Sequence, residues 1–549
     1  MAGRMNTFLS VVPAIITITL AFATRKILLS LCSGIVSAAL IVSEFSPMAT
    51  TKLVLGRLAE KSEILNLLSW SKFVESERLF IFMFLITLGV IITLIRESGG
   101  AFAYTSFFKK KLKNQRQAEF SALTLSSFLF IDDYLNTLTT GSVMTALTDL
   151  FKVPRVRLAF MINSIAGALA LITPISGWAA TITMFIYESG VSKVKIPGHI
   201  IKADPFFTYI YSIPFSFHAL IVIASMWFIA ARKINLGIVD AHRKVANETG
   251  NLVGGKALAT AVETPKTTNH SISDFIVPIG SLVIGVAMSM LFYGGYHLMG
   301  GTRFLAAALR NTRSELSLLT GGLIAMTASS LWLIVRQKLS FKKSPLLLFH
   351  GLTMMLPSIM VLTLAWSFGS FLNEDLNTGS ALAKLLLPAL RIELLPVALL
   401  LISTLISFSV GSSWATIAIM LPIGLPMIKA FLHISSPVFA AKVPILYATI
   451  GAVLSGSLLG NKISPIADIP IMTASSTGAY HMDLLHAQLA YLLPILAGSI
   501  VAFTISGFIS TSVSYAANIG ISLPAGLLTT GLLLTISQAL RKIWTQSSK

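Results

Sequence analysis

What most constrains this chain is how far it runs without charge. From about residue 395 to residue 537 the sequence is nearly unbroken apolar, and similar runs recur upstream between short basic segments. One bilayer crossing takes about 20 apolar residues, so the 549 residues accommodate roughly 10 to 13 crossings with their loops. Only 11% of residues are charged, against about a quarter in soluble domains, and mean hydropathy is +0.81. Every backbone polar group in lipid needs a partner within the protein. Runs of this length can supply one only as helices. A transmembrane barrel would instead alternate over segments of about 10 residues, a pattern absent here. The chain reads as an all-α polytopic membrane protein.

The net charge of +19 then reflects basic cytoplasmic loops and not nucleic-acid binding. Crossings are expected over 8–24, 27–42, 79–95, 206–231, 274–294, 316–335 and 345–371, with a mixed-charge interfacial segment at 46–77. Basic clusters at Arg25-Lys26, Arg96 to Arg116 and Arg336 to Lys343 all fall on one side if crossings alternate. That side is the cytoplasm, with the N-terminus, Glu374 and Asp375 outside. The start of the chain, with Arg4 and no small-residue cleavage site, reads as a retained first crossing. The longest hydrophilic stretch, 232–272, reads as a cytoplasmic linker between a half at 1–231 and a half at 273–549. Cys32 is the one cysteine, so no disulfide within the chain is available.

Chemistry concentrates between Ser127 and Trp178. Asp132 and Asp133 sit side by side in apolar sequence, followed by Asn136, Thr140 and Ser142, then Thr173-Pro174 and Ser176. An ionised side chain there costs about 2.5–3.5 kcal/mol on insertion scales, which marks it for function. Neighbours on a helix point about 100° apart, so both carboxylates share a site only if the helix breaks. Thr139 to Ser142 is the expected break. A second version lies downstream. Lys152-Val153-Pro154 leads to Thr173-Pro174-Ile175-Ser176, and Lys442-Val443-Pro444 leads, about one residue later, to Ser464-Pro465-Ile466-Ala467. Ser412 and Ser413 pair loosely with the threonine run, given an insertion within 415–441, and Asn461, Lys462 and Asp468 complete the second cluster. Repeated, broken, small-residue helices are the mark of a secondary transporter. Hard cations take oxygen ligands, and burial favours a carboxylate's protonated form, so Na+ and H+ competing for one carboxylate suffice for exchange. His481, Asp483 and His486 lack a metal-ligand spacing. The stretch from Gly250 to Ala257 lacks the Ser or Thr and the preceding strand of a phosphate-binding loop, so no metal beyond transported Na+ and no cofactor is expected.

The segments FIDDYLNTLTTGSVM, KVPRVRLAFMINSIAGALALITPISGWAA, GSSWATIAIMLPIGLPM and GNKISPIADIPIM resemble the NhaC-type sodium/proton antiporter family. The resemblance implies two inverted repeats with re-entrant hairpins, an elevator-like movement, and Asp132, Asp133, Asn136, Ser464 and Asp468 in or beside the ion site. It implies Na+/H+ antiport, not enzymatic activity, at a bacterial plasma (inner) membrane, with the lipid bilayer and a second copy of the chain as candidate partners. One departure stands out. The family usually carries Gly-Asp-His before its Ser-Pro-Ile-Ser-Asp motif. Here the residues are Gly460-Asn461-Lys462-Ile463, and Ala467 replaces the second serine. An acid and a histidine are lost and a cation is gained, which weakens cation binding. The alternative expectation is therefore an organic-anion or amino-acid exchanger that uses Lys462 to bind a carboxylate. An intramembrane aspartyl protease lacks its Gly-x-Gly-Asp motif here.

Overall fold

The computed structural model describes residues 9–24, 27–98, 112–194, 199, 201–257, 271, 273–310, 312–336, 344–378, 381, 391–434, 436–465 and 467–547. Arg25-Lys26, Lys109 to Lys111, Lys338, Lys342 and Lys343 lie outside these residues, as does the side chain of Arg96. Among the described residues the chain is almost entirely helical. It opens with α1 (Val12–Thr24), α2 (Ile27–Val42), α3 (Pro47–Ser62), α4 (Trp70–Phe73) and α5 (Glu77–Ser98). A first four-helix unit follows: α6 (Gln115–Phe128), α7 (Asp133–Leu150), α8 (Arg155–Ile172) and α9 (Gly177–Glu188). Next come α10 (Pro205–Ser212), α11 (Phe217–Arg232), α12 (Gly237–Thr249), α13 (Ser273–Tyr293), α14 (Leu305–Arg310), α15 (Ser314–Val335) and α16 (Ser344–Ser370). The second unit is α17 (Leu395–Val410), α18 (Ser413–Phe431), α19 (Ile445–Ile463) and α20 (Asp468–Thr477), and α21 (His481–Ile509) and α22 (Tyr515–Ser547) close the chain. Nine helices among the described residues are long and apolar enough to cross a membrane. The expected single crossing at 206–231 is two helices, because Pro214 supplies no N–H and a short 3-10 turn intervenes at Ile213–Phe215.

Charged side chains collect at the two ends of the bundle. At one end Lys61 and Arg57 pair with Glu374 at 3.1 and 2.9 Å, and Arg78 pairs with Glu63 at 3.0 Å and with Glu188. At the other end Lys256 reaches Asp483 at 2.8 Å, Arg541 reaches Asp240 at 3.2 Å, and Arg336 reaches Asp274 at 3.3 Å. The second end, which holds the described part of 232–272, is termed the inner end, and the first the outer end.

This sidedness orients the repeat. In the first unit α6 starts and α7 finishes near the inner end, where Asp149 pairs with Arg155 at 2.9 Å and the Leu252 carbonyl accepts from the Arg155 N–H. Those two helices form a re-entrant hairpin, and α8 and α9 form one broken crossing that runs outward to Glu188. In the second unit, strand β3 (Val438–Phe439), between α18 and α19, pairs with β2 (Ile201–Lys202), which pairs with β1 (Val191–Ser192), in a small parallel sheet at the outer end. Here α17–α18 is the hairpin, entering from outside, and α19–α20 runs inward to the linker end, where the Tyr480 hydroxyl donates to the Ala257 carbonyl. The two units are therefore inverted. Their broken crossings interlock: α20 packs on α7 and α9 packs on α18.

The breaks at Thr173-Pro174 and Ser464-Pro465 lie where the sequence placed them. The break at Thr139 to Ser142 does not exist, since α7 runs on through it. The Thr140 hydroxyl donates to Asn136 Oδ1 at 3.1 Å and the Thr145 hydroxyl, one turn after Gly141, to the Gly141 carbonyl at 2.6 Å, both within the helix, so neither gives a reason to unwind. The hairpin turns at Leu129 to Asp132 instead. Its counterpart, Gly411-Ser412, uses the left-handed φ of 71° at Gly411. The longer connection in the second unit is correspondingly confined to 432–444, against 151–154 in the first.

Packing is tightest around α8 and α19. The apolar window of α8 is 94% buried, against 22% for α22, which therefore faces lipid. Helices α17 and α19 touch backbone to backbone: a Cβ on Gly456 would stand 2.4 Å from the Leu400 carbonyl oxygen. Gly456→Ala is thus expected to cost about 1–3 kcal/mol by overpacking. Thermal unfolding in detergent checks this, and an unchanged midpoint would contradict the close approach.

Candidate functional site

The two hairpin tips and the two helix breaks meet deep in the bundle. Three of the four helices that start there are capped by their own sequence. Asp132 Oδ1 accepts from the Leu135 N–H at 2.9 Å, Ser176 Oγ from Ala179 at 3.3 Å, and Ser412 Oγ from Ala415 at 3.3 Å. The fourth start has Ala467 in the cap position, and its helix begins at Asp468.

Capping turns Asp132 toward its own helix and sends Asp133 elsewhere, as the angle between helical neighbours requires. Asp133 is buried, and Trp178 Nε1 of α9 donates to its Oδ1 at 3.4 Å. Trp178 in turn packs on Trp414 of α18, with ring centroids 4.4 Å apart. The other oxygen, Oδ2, lies beside Gly167 of α8, where a methyl group would stand 2.8 Å from Leu458 Cδ1, 3.2 Å from Lys462 Nζ and 3.5 Å from Asp133 Oδ2. Lys462, from α19, is 2% exposed, and its ammonium has no hydrogen-bond partner. Among the described residues no ion pair joins it directly to a carboxylate. Asp468 approaches from the exposed side, bonded to the Tyr134 hydroxyl of α7. Carboxylates from α7 and α20 thus flank one buried ammonium.

The remaining sequence candidates divide. Asn136 and Thr140 hold the first hairpin together: Asn136 Nδ2 donates to the Ser126 carbonyl at 2.7 Å, and Ser126 and Thr140 donate to its Oδ1. Thr173 Oγ1 donates to the Leu169 carbonyl at 2.7 Å and Ser176 Oγ to the Ala170 carbonyl at 2.6 Å, so both satisfy the broken end of α8. Ser413 donates to the Ser457 carbonyl at 3.0 Å, and Asn461 Nδ2 to the Gly411 carbonyl at 3.1 Å, which ties α19 to the second tip. Ser464 Oγ is buried with no hydrogen-bond partner. The side chain of Ser142 lies outside the described residues. Lys256, from the segment resembling a phosphate loop, instead contacts both oxygens of Asp483 at 2.8 Å.

Sequence reasoning missed Tyr134, Gly167 and Asn163. Asn163 lies one turn before Gly167 on α8. Its Nδ2 reaches the Lys462 carbonyl at 3.4 Å, and its Oδ1 has no partner. Thr137 Oγ1, one turn after Asp133, is also unpartnered. A buried polar atom without a partner costs about 1–3 kcal/mol. That cost recurs here at Lys462 Nζ, Ser464 Oγ, Asn163 Oδ1 and Thr137 Oγ1. Gly167→Ala presses a methyl group on the side-chain ends of Leu458, Lys462 and Asp133. It is expected to cost about 1–3 kcal/mol of stability while transport falls at least about tenfold. Thermal unfolding and uptake measured on one preparation check it; undiminished uptake would remove this contact from the pathway.

The model of the Na+/H+ antiporter family matches residues 169–508. An uncharacterized protein of Haemophilus influenzae is 26% identical over 505 residues, which covers 91% of each chain. Among solved structures, the Alcanivorax borkumensis YdaH transporter and Neisseria gonorrhoeae MtrF, the latter described with a class of antimetabolite efflux pumps, each align with a TM-score of 0.44 at 14% identity. Both cover 84% of this chain, and 88% and 84% of their own. With the family model spanning more than half of its length, the chain belongs to the Na+/H+ antiporter family and is a multi-pass secondary transporter.

Proposed function

We propose that the protein exchanges Na+ for H+ across a bacterial plasma membrane by alternating access, with Asp133 as the carboxylate that holds cation and proton in turn. The observation that carries this reading is that Asp133 Oδ2 and Lys462 Nζ both lie beside Gly167 while the ammonium has no hydrogen-bond partner. Asp132, Asp133 and Asp468 outnumber the single ammonium, so the region is cation-attracting despite Lys462. Broken helices add carbonyl oxygens at their ends, and hard cations prefer such ligands. A proton on Asp133 removes both its charge and one cation ligand, so occupancy by Na+ and by H+ exclude each other. Lys462 supplies a resident positive charge that steadies the unloaded carboxylate and repels a bound cation, which keeps the site releasable.

Proteoliposomes holding a pH gradient test this. Na+ added outside is expected to dissipate the gradient, and Asp133→Asn to lower the rate at least about a hundredfold, the cost of losing one buried charge partner. Asp132→Asn keeps an equally good helix cap and is expected to stay within a few-fold of wild type. No Na+ response from intact protein would overturn the proposal.

The unpartnered ammonium favours a second reading, exchange of a carboxylate-bearing organic anion bound at Lys462. Lys462→Gln separates the two. For Na+ exchange it relieves a repulsion, and half-saturation by Na+ is expected to fall roughly tenfold. For anion exchange it abolishes substrate binding, which a panel of organic and amino acids would reveal.

A further inference from the structure

At the inner end lies a cavity of about 400 Å³, separate from the candidate ion site, since neither Asp133 nor Lys462 lines it. Its walls are the start of α6, Arg157 of α8, the end of α11 with the chain just after it, α12 and the end of α22. Small-molecule sites of this size are ordinarily lined mostly by apolar side chains. Among the described residues this one is lined by none. All twelve lining residues are polar or charged, seven of them Arg or Lys against two carboxylates, a formal excess of five positive charges.

The two carboxylates are engaged. Glu119 pairs with the buried Arg157 at 3.1 Å, and Asp240 is shared by Arg243 at 2.8 Å, Arg541 at 3.2 Å and Lys244 at 3.8 Å. Arg116 on α6, and Arg232 and Lys233 at the end of α11, pair with no carboxylate among the described residues. Cations at a helix end often serve its bare carbonyls. Here that cover is already supplied, because Arg157 donates to the carbonyls of Ile234 at 2.7 Å and Ile229 at 3.4 Å, and Gln538 to that of Lys233 at 3.4 Å. Lys233 moreover holds a left-handed φ of 53°, a position where glycine is the ordinary choice, so its side chain is kept there against a conformational cost.

Three cations lining one cavity without carboxylates repel one another until an anion joins them. A phosphate group carries about two negative charges and three acceptor oxygens at neutral pH, and arginine forks grip such oxygens in pairs. A lone carboxylate supplies a single charge. With no apolar wall, the cavity has nothing to hold an acyl chain, which favours a soluble compound over a phospholipid headgroup.

We propose that this cavity binds a soluble phosphate-bearing anion, held by Arg116 from α6 and by Arg232 and Lys233 from the end of α11. Bound there, the anion ties α11 to the first re-entrant hairpin, which α6 opens and whose other arm, α7, starts at Asp133.

The test uses the full chain purified in detergent in a sodium-free potassium buffer. Thermal unfolding is followed while potassium phosphate replaces potassium chloride at constant ionic strength, which holds simple screening fixed. Phosphate is expected to raise the unfolding midpoint by several degrees. The double variant Arg232→Gln/Lys233→Gln is expected to need at least tenfold more phosphate for the same shift. Both of its substituted side chains are exposed, so the midpoint without phosphate is expected to stay within about a degree. Arg116→Gln, on a different helix, is expected to act in the same direction and decides the matter if the double variant does not fold. No shift at constant ionic strength, or a shift unchanged in the variants, would overturn the site. A shift from phosphatidylglycerol dispersed in the detergent, with none from phosphate, would overturn the assignment to a soluble ligand.

Discussion

A buried ammonium and a buried carboxylate that meet beside Gly167 without a direct ion pair are the constraint on which the rest of this structure depends. Were Lys462 and Asp133 in direct contact, they would neutralise each other and form a structural pair. Instead the carboxylate takes the Trp178 N–H and the ammonium has no hydrogen-bond partner. That arrangement persists only if the surrounding backbone is rigid enough to keep the two from collapsing together. Here the rigidity comes from α8, the most enclosed of the long helices, from the Asn163 contact to the Lys462 carbonyl, and from the Trp178 bond to Asp133.

The inverted repeat explains how one site draws on both halves. Each unit contributes a hairpin tip and a broken crossing, and each broken crossing packs its second segment on the other unit's hairpin. Asp133 comes from the inner hairpin and Lys462 from the end of the outer unit's broken helix. Trp178 and Trp414 meet across the same boundary, as do Tyr134 and Asp468. Capping residues make the breaks stable by satisfying backbone groups that lipid would leave bare. The small-residue composition of α19 has a related cause, since only glycine lets α17 and α19 touch at Gly456.

Much of this was legible in the sequence, for reasons that can be named. Helical crossings follow from length and hydropathy, and α13, α15 and α16 fall almost where the apolar runs placed them. Proline fixes the breaks after Thr173 and Ser464 because its effect is local. The threonine run at Thr139 misled because hydroxyls that bond back to their own helix look, in sequence, like hydroxyls at a break. Asn136 is ambiguous in sequence for a similar reason. A buried amide can bind a ligand or clamp a hairpin, and only its distances to Ser126 decide. Asn163 and Gly167 did leave a signal, a polar and a small residue one turn apart on one face of an otherwise apolar helix. The orientation of the repeat came within reach only once each Lys-Val-Pro was assigned to an end of the bundle.

In the proposed exchange one carboxylate, Asp133, alternates between cation and proton. Calorimetric titration of the purified protein with Na+, repeated in buffers of different ionisation enthalpy, tests it most directly. Cation binding at a protonated carboxylate must release that proton, and the buffer then reports it. Close to one proton is expected to leave per Na+ bound at a pH where the free site is protonated, and none in Asp133→Asn. Na+ binding with no proton release at any pH, or release that survives unchanged in Asp133→Asn, would contradict it.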